Sequence, residues 1–301
     1  MCWSICCMRP LTRACPWHPG PPRRREGRAM PSRISLSALL GLAILALFVV
    51  TAALAGWLYP GDPLDMAGPA LLWPLQDPAF ALGTDALGRD LAAQLAHGAR
   101  ASLQVGACAA LVGLSIGTVA GAVGGYYGGW ADKALTRLTE LFQTTPTLLM
   151  AVVIVAIAGP SSRTVAFAIG LASWPGCARL VRAQFRQLRE ADFVLAARSQ
   201  GFGDLHIICR EILPNALAPV IVTASAMVAS AILLESALSF LGIGDPEVLS
   251  WGGMIGAGRD ALRTDWYLST LPGAAISVVV LALNLVGDAL NDHLNPRLRG
   301  R

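Results

Sequence analysis

The sequence predicts an all-α membrane protein with six transmembrane helices. Three observations carry that expectation. The 301 residues are 54% hydrophobic and 14% charged, with mean hydropathy +0.56, whereas globular chains carry about 25% charged residues. Six long apolar runs follow one another, and about 20 residues suffice to cross a bilayer. The basic residues gather between these runs and not along one face, so the net charge of +4 describes flanks of membrane spans and gives no nucleic-acid surface.

Residues 1–29 differ from the rest. They hold Cys2, Cys6, Cys7 and Cys15, four of the seven cysteines, with His18, several prolines and Arg23-Arg24-Arg25. The spacing fits no closed Cys/His zinc pattern, and the prolines oppose a packed unit. The expectation is a disordered or mis-assigned extension with no metal site. Met30 begins MPSRISLSALLGLAIL, a normal start for a membrane protein.

The first span is expected within residues 30–60, from the uncharged run Ser35–Tyr59. That run exceeds the roughly 7 to 15 residues of a signal peptide's apolar region, so it reads as an uncleaved helix. Residues 61–100 read as an outer loop. Asp85, Arg89 and Asp90 there make turns and ion pairs, with substrate contact as the weaker alternative.

Residues 101–301 then form a five-helix core. Its first run, Ser102–Trp130, carries Gly113, Gly117, Gly121 and Gly125 four residues apart, with Gly129 next in the same series. Such a stripe lies on one helix face, and small-residue stripes let helices in lipid approach closely. GGYYGG at its end reads as a loop. The third run is Leu141–Ser162, where Pro146 marks a helix start or kink. The fourth, Thr164–Ala178, spans if it continues past Arg179, and Trp174-Pro175-Gly176 suggests a kink. The fifth is Ile212–Leu234, after which Glu235 stands near an outer end. An ionisable residue there is a pathway candidate, balanced against an inter-helix hydrogen bond. Asp245–Asp265 is a second outer loop, and Trp266–Gly287 is the sixth run.

Residues 189–215 read READFVLAARSQGFGDLHIICREILPN, a polar stretch between apolar runs. Leu195–Ser199 favours helix. Gly201 and Gly203 interrupt it, and Asp204 can cap a new turn. Pro214 falls near the start of the next run, where a helix tolerates it. The expected form is a short helix, a glycine bend and a second short helix.

This stretch resembles the cytoplasmic coupling segment, the EAA loop, of ABC-transporter permeases. Ala196, Ala197, Gly201, Leu213 and Pro214 match the family's spacing. Leu195 stands at the family's glutamate, and Glu211 at its isoleucine, with Ile212 one place late. LGTDALGRD (82–90), HGARASL (97–103), LESALSFLGIG (234–244) and LVGDALNDHLNPRLRG (285–300) resemble the same proteins, most closely the second permease of peptide or nickel importers. The resemblance implies a type I ABC importer permease. Ala196, Ala197, Arg198, Gly201, Asp204, Leu213 and Pro214 would couple it to an ATPase. Its partners would be a homologous permease, two ATPase subunits, an extracytoplasmic substrate-binding protein and the lipid bilayer, and its place the inner membrane. Di- and oligopeptides are the implied substrates, with nickel, glutathione or related solutes as alternatives.

Charge supports this topology. Twelve Lys and Arg residues fall at inner positions and five at outer ones (Arg89, Arg100, Arg163, Arg259 and Arg263), with six more before Met30. Both termini and the coupling stretch are therefore expected in the cytoplasm. The chain offers no catalytic set. Lys133, the one lysine, lies between Asp132 and Ala134 and outside any Gly-Lys-Ser/Thr phosphate loop. ATP is thus expected to be used by partner subunits, with no cofactor in this chain. His97, His206 and His293 lie outside the apolar runs, and no His-Glu-x-x-His occurs. Cys108, Cys177 and Cys209 read as packing residues. An ATP-independent carrier remains the other class; it would act alone.

Overall fold

The computed structural model describes residues 36–294. The N-terminal extension with its cysteines, Met30 and Arg33, and the basic C-terminal end, lie outside the described residues. Those described form helices α1 (Leu36–Leu58), α2 (Leu91–Tyr127), α3 (Gly129–Thr144), α4 (Thr147–Ala158), α5 (Ser162–Leu188), α6 (Asp192–Ser199), α7 (Asp204–His206), α8 (Leu213–Phe240), α9 (Trp251–Gly258) and α10 (Tyr267–Leu294). A π-helical stretch, Ile207–Ile212, joins α7 to α8. Five helices are long and apolar enough to cross a membrane. The α3–α4 pair makes a sixth span when taken as one.

Several boundaries differ from the sequence expectation. α2 starts at Leu91, inside the stretch expected as outer loop. Asp90 is its N-cap, accepting the Ala92 N–H, and Leu91, Ala93, Ala96 and Ala99 are buried. That inner stripe outweighs the polar Gln94, His97 and Arg100 that interrupt the run. At its other end α2 continues through Tyr126 and Tyr127, and the chain turns at Gly128 and Gly129, both at positive φ (66° and 57°).

The expected third span is broken. α3 and α4 meet at 89°. Thr145 is extended (φ −94°, ψ 130°) ahead of Pro146, as residues before proline prefer. α5 runs unbroken through Pro175. The second outer loop holds α9, which the glycine-rich WGGMIGAG gave little reason to expect.

The helices alternate between two ends. At one end lie the long loops. Tyr267 Oη donates to the Thr84 carbonyl (3.1 Å), and Thr84 Oγ1 donates to Pro69 O (2.6 Å). Asp85 accepts the N–H groups of Leu87 and Arg89 and the Gln94 amide. Asp85 and Asp90 thus serve turns and a cap. Asp245 joins this end to the start of α5. Burial raises its pKa, but the N–H and hydroxyl of Ser162 and the Glu247 N–H together hold the carboxyl below the usual carboxylate range. At the other end lie α3, α6, α7 and the termini of α2 and α5.

Candidate coupling site

α6 begins where the arginine-bearing end of α5 gives out. Val194 and Ala197 face inward and join Phe185, Ile207, Ile212 and Ala216 in a buried cluster. Ala197 is therefore a core residue, where the sequence placed it among ATPase contacts. An apolar residue three positions from Val194 falls on the same helix face. Ala196 and Arg198 are exposed.

Gly201 turns the chain at φ +84°, a conformation that costs other residues steric strain; the space beside it is open. Gly203 is the N-cap of α7. Asp204, expected to cap by its side chain, does something else. Its Oδ1 accepts from Tyr126 Oη at 2.6 Å. Arg198 lies over the Tyr126 ring, 5.5 Å from its centre. Arg189 Nη1 donates to the Tyr126 carbonyl (3.0 Å). α6 and α7 are thereby clamped to the end of α2.

Leu213 is half-buried against the same cluster. Pro214 sits in the first turn of α8, exposed. The outward side of the segment is apolar. Leu195, Phe202 and Leu205 are exposed, Leu205 at 76%, and the Phe202 ring stacks on His206 at 4.4 Å. Of the residues named from the sequence, Ala196, Arg198, Gly201 and Asp204 come together here. Tyr126, Arg189, Phe202 and Leu205 were not foreseen. Two large apolar side chains beside a glycine bend in a polar stretch were a usable signal; the Tyr126–Asp204 pair, 78 residues apart, was not.

The glycine stripe lies against α5. A Cβ on Gly117 would stand 2.7 Å from Cys177 Cβ, one on Gly121 2.6 Å from the Ala178 carbonyl oxygen, and one on Gly125 2.6 Å from Phe185 Cβ. Gly113 meets Met227, Ser173 and Gly170. Gly129 is outside the stripe, in the turn to α3. The seam runs to the end that carries α6 and α7, where Arg182 of α5 holds both carboxylate oxygens of Asp132 in α3.

Glu235 is inside α8, not at its end, because the helix continues to Phe240. It is 3% exposed. It accepts from Ser239 Oγ (2.7 Å) and Ser102 Oγ (3.1 Å), and Ser102 Oγ also accepts the Trp251 N–H (3.3 Å). The carboxylate is thus enclosed where α2, α8 and α9 meet. Among the described residues, no three His, Cys, Asp or Glu side chains gather as a metal site would require.

The family model for the binding-protein-dependent transport system inner membrane component matches residues 113–300. The chain belongs to that family. The di/tripeptide transport system permease protein DppC of Pseudomonas aeruginosa is 40% identical over 268 residues, 87% of this chain and 88% of that one. The dipeptide transport system permease protein DppC of Haemophilus influenzae is 37% identical over 87% of this chain and 91% of its own. The glutathione transport system permease protein GsiD of Pectobacterium atrosepticum is 38% identical, over 72% and 73%. The fold is that of an inward-facing MetNI methionine ABC transporter chain, with TM-score 0.53 at 15% identity, covering 67% of this chain and 96% of the other. This permease is thus a multi-pass inner-membrane component of an ABC importer.

Proposed function

We propose that this permease imports di- or oligopeptides. It pairs with a second, homologous permease to enclose the pathway and rests on two ATPase subunits. An extracytoplasmic binding protein delivers substrate to the loop end. ATP is consumed by the ATPases, and this chain does no catalysis and holds no cofactor. Both termini and the coupling end face the cytoplasm, as the arginine-rich flanks favour.

One observation carries the mechanism: an exposed apolar cap held rigidly to the end of a membrane span. Leu195, Phe202 and Leu205 present the cap, and Tyr126, Arg189 and Asp204 fix it to α2. An ATPase that grips this cap and closes on ATP moves α2 directly, and moves α8 through the π-helical stretch. The peptide assignment draws on the relatives' substrates.

The test is affinity purification of the tagged chain in mild detergent, followed by uptake in liposomes. A second permease and P-loop ATPases are expected to copurify, and dipeptides to be taken up only with ATP and binding protein. Gly201→Trp should leave ATP hydrolysis intact while uptake falls at least tenfold. Solute movement by the chain alone without ATP would overturn the assignment. Uptake of glutathione in preference to dipeptides would redirect the substrate.

A further inference from the structure

We infer that α3 is an interfacial helix. It lies in the membrane plane at the coupling end and leaves the sixth crossing to α4 and its flanking residues, with one side in the acyl region and the other among anionic phospholipid headgroups. This goes beyond the transport reading and is independent of the solute.

The 89° bend at Thr145-Pro146 sets α3 across the direction of α4, and the Gly128-Gly129 turn sets it off from α2. At about 100° per residue, its side chains separate into three arcs. Trp130, Ala134, Leu138 and Leu141 form the first. All four are exposed, Trp130 at 83% and Leu141 at 65%. Lys133, Arg137, Glu140 and Thr144 form a second arc beside it, centred about 90° away on the wheel and also exposed. On the far side from both, Asp132 and Thr139 face the bundle; Asp132 is held by Arg182, and Thr139 is buried. The helix therefore packs sideways, with its apolar and polar sides both free. That is the geometry of a helix lying in an interface.

The contacts fix which side points inward. On the apolar side, Phe142 packs edge-on against Trp174, a buried residue of α5 (ring centres 5.3 Å). Leu135 approaches Gly124 of α2. On the edge of the bundle face nearer the polar arc, Asp132 meets Arg182, nearer the end of α5. The apolar arc thus points toward the bilayer interior and the polar arc away from it.

Charge selects the occupant. Glu140 is the one acid on the polar arc and pairs with Arg137 (3.1 Å). Lys133 adds positive charge, as do Arg179 and Arg186 on exposed positions of the adjoining helix. An exposed tryptophan beside such a cluster matches the composition of membrane interfaces, and basic groups there attract anionic lipid.

The test places the photocrosslinker benzoylphenylalanine at Leu138 or Leu141 of the assembled complex, in nanodiscs of phosphatidylethanolamine and phosphatidylglycerol. Phospholipid adducts are expected as the main product. Adducts to another subunit, or recovery of the unreacted side chain with no lipid adduct, would overturn the lipid assignment. Phosphatidylglycerol should be enriched among the adducts over its bulk share, by about fivefold for each engaged charge. In Lys133→Gln/Arg137→Gln that enrichment should disappear; enrichment that persists would overturn the headgroup assignment. Neither side chain contacts the core, so the variant keeps the fold.

Discussion

The α2–α5 seam and the loop-end junction of α2, α8 and α9 are both packed helix contacts, but they are made differently. Along the seam, glycines on α2 press on the backbone of α5, and Gly170 returns the contact against Ala109 and Val112. The contact is mainly van der Waals. At the junction, directional bonds hold the parts: Trp251 Nε1 to the Leu95 carbonyl (3.0 Å), Ser102 and Ser239 to Glu235, and Tyr267 to Thr84. Water is absent from the bilayer core, so apolar surface gives helices little reason to associate there. The seam gains cohesion from closeness alone, and a smooth surface can shift. The junction gains it from hydrogen bonds that fix register. The two regions thus hold their helices by different means.

The largest effect is expected where a side chain is forced into the seam. In Gly121→Leu the added atoms meet the Ala178 carbonyl oxygen and the Arg182 nitrogen, backbone atoms that cannot turn aside. The helices must part, at a cost of about 3 kcal/mol. Thermal unfolding in detergent should show a large loss; near-wild-type stability would mean that the seam tolerates separation. Next comes the junction. Glu235→Leu strips the acceptor from Ser102 and Ser239 and should cost about 2 kcal/mol, while Glu235→Gln keeps one acceptor and should cost about half as much. Equal losses in the two would indicate that charge, and not hydrogen bonding, holds the junction.

The two regions also differed in how far they could be read from sequence. The glycine stripe was visible because its period of four is local. Which helix it would meet was not, since nothing within the run from Ser102 to Trp130 encodes α5. The break at Pro146 was visible because proline acts on its own neighbours. The junction was largely hidden. Glu235 could be flagged as an ionisable residue in an apolar run, but its partners Ser102 and Ser239 look like ordinary span residues. The start of α2 was missed because three polar residues lower the local hydropathy, although Leu91, Ala93, Ala96 and Ala99 are buried and the one buried polar side chain of the three, Gln94, is bonded to Asp85. α9 was missed because glycine, usually a mark of loops, here allows close approach; a Cβ on Gly258 would crowd Leu268 and Ser269.

Tyr126→Phe tests how the seam is joined to the coupling segment. Only the hydroxyl bond to Asp204 is lost, so about 1 kcal/mol of local stability should go, with global unfolding unchanged. Hydrogen exchange across residues 192–212 should quicken severalfold, and transport per ATP should fall. Unchanged exchange would mean that the core contacts of Val194, Ala197, Ile207 and Ile212 fix the segment without the clamp.

The smallest effect separates two glycines two residues apart: one turns the chain, the other caps a helix. Gly201 has φ +84°, and Gly203 has φ −73° with extended ψ; a Cβ on either meets nothing within 4 Å. Alanine at 201 therefore pays a backbone strain of about 1 kcal/mol. Alanine at 203 loses a favourable N-cap but reduces the freedom of the unfolded chain, and these terms of a few tenths to about 1 kcal/mol nearly cancel. Local exchange should quicken in Gly201→Ala and stay unchanged in Gly203→Ala. If instead both substitutions leave exchange unchanged but reduce transport, the glycines matter as exposed surface pressed against a partner, and the turn conformation is incidental.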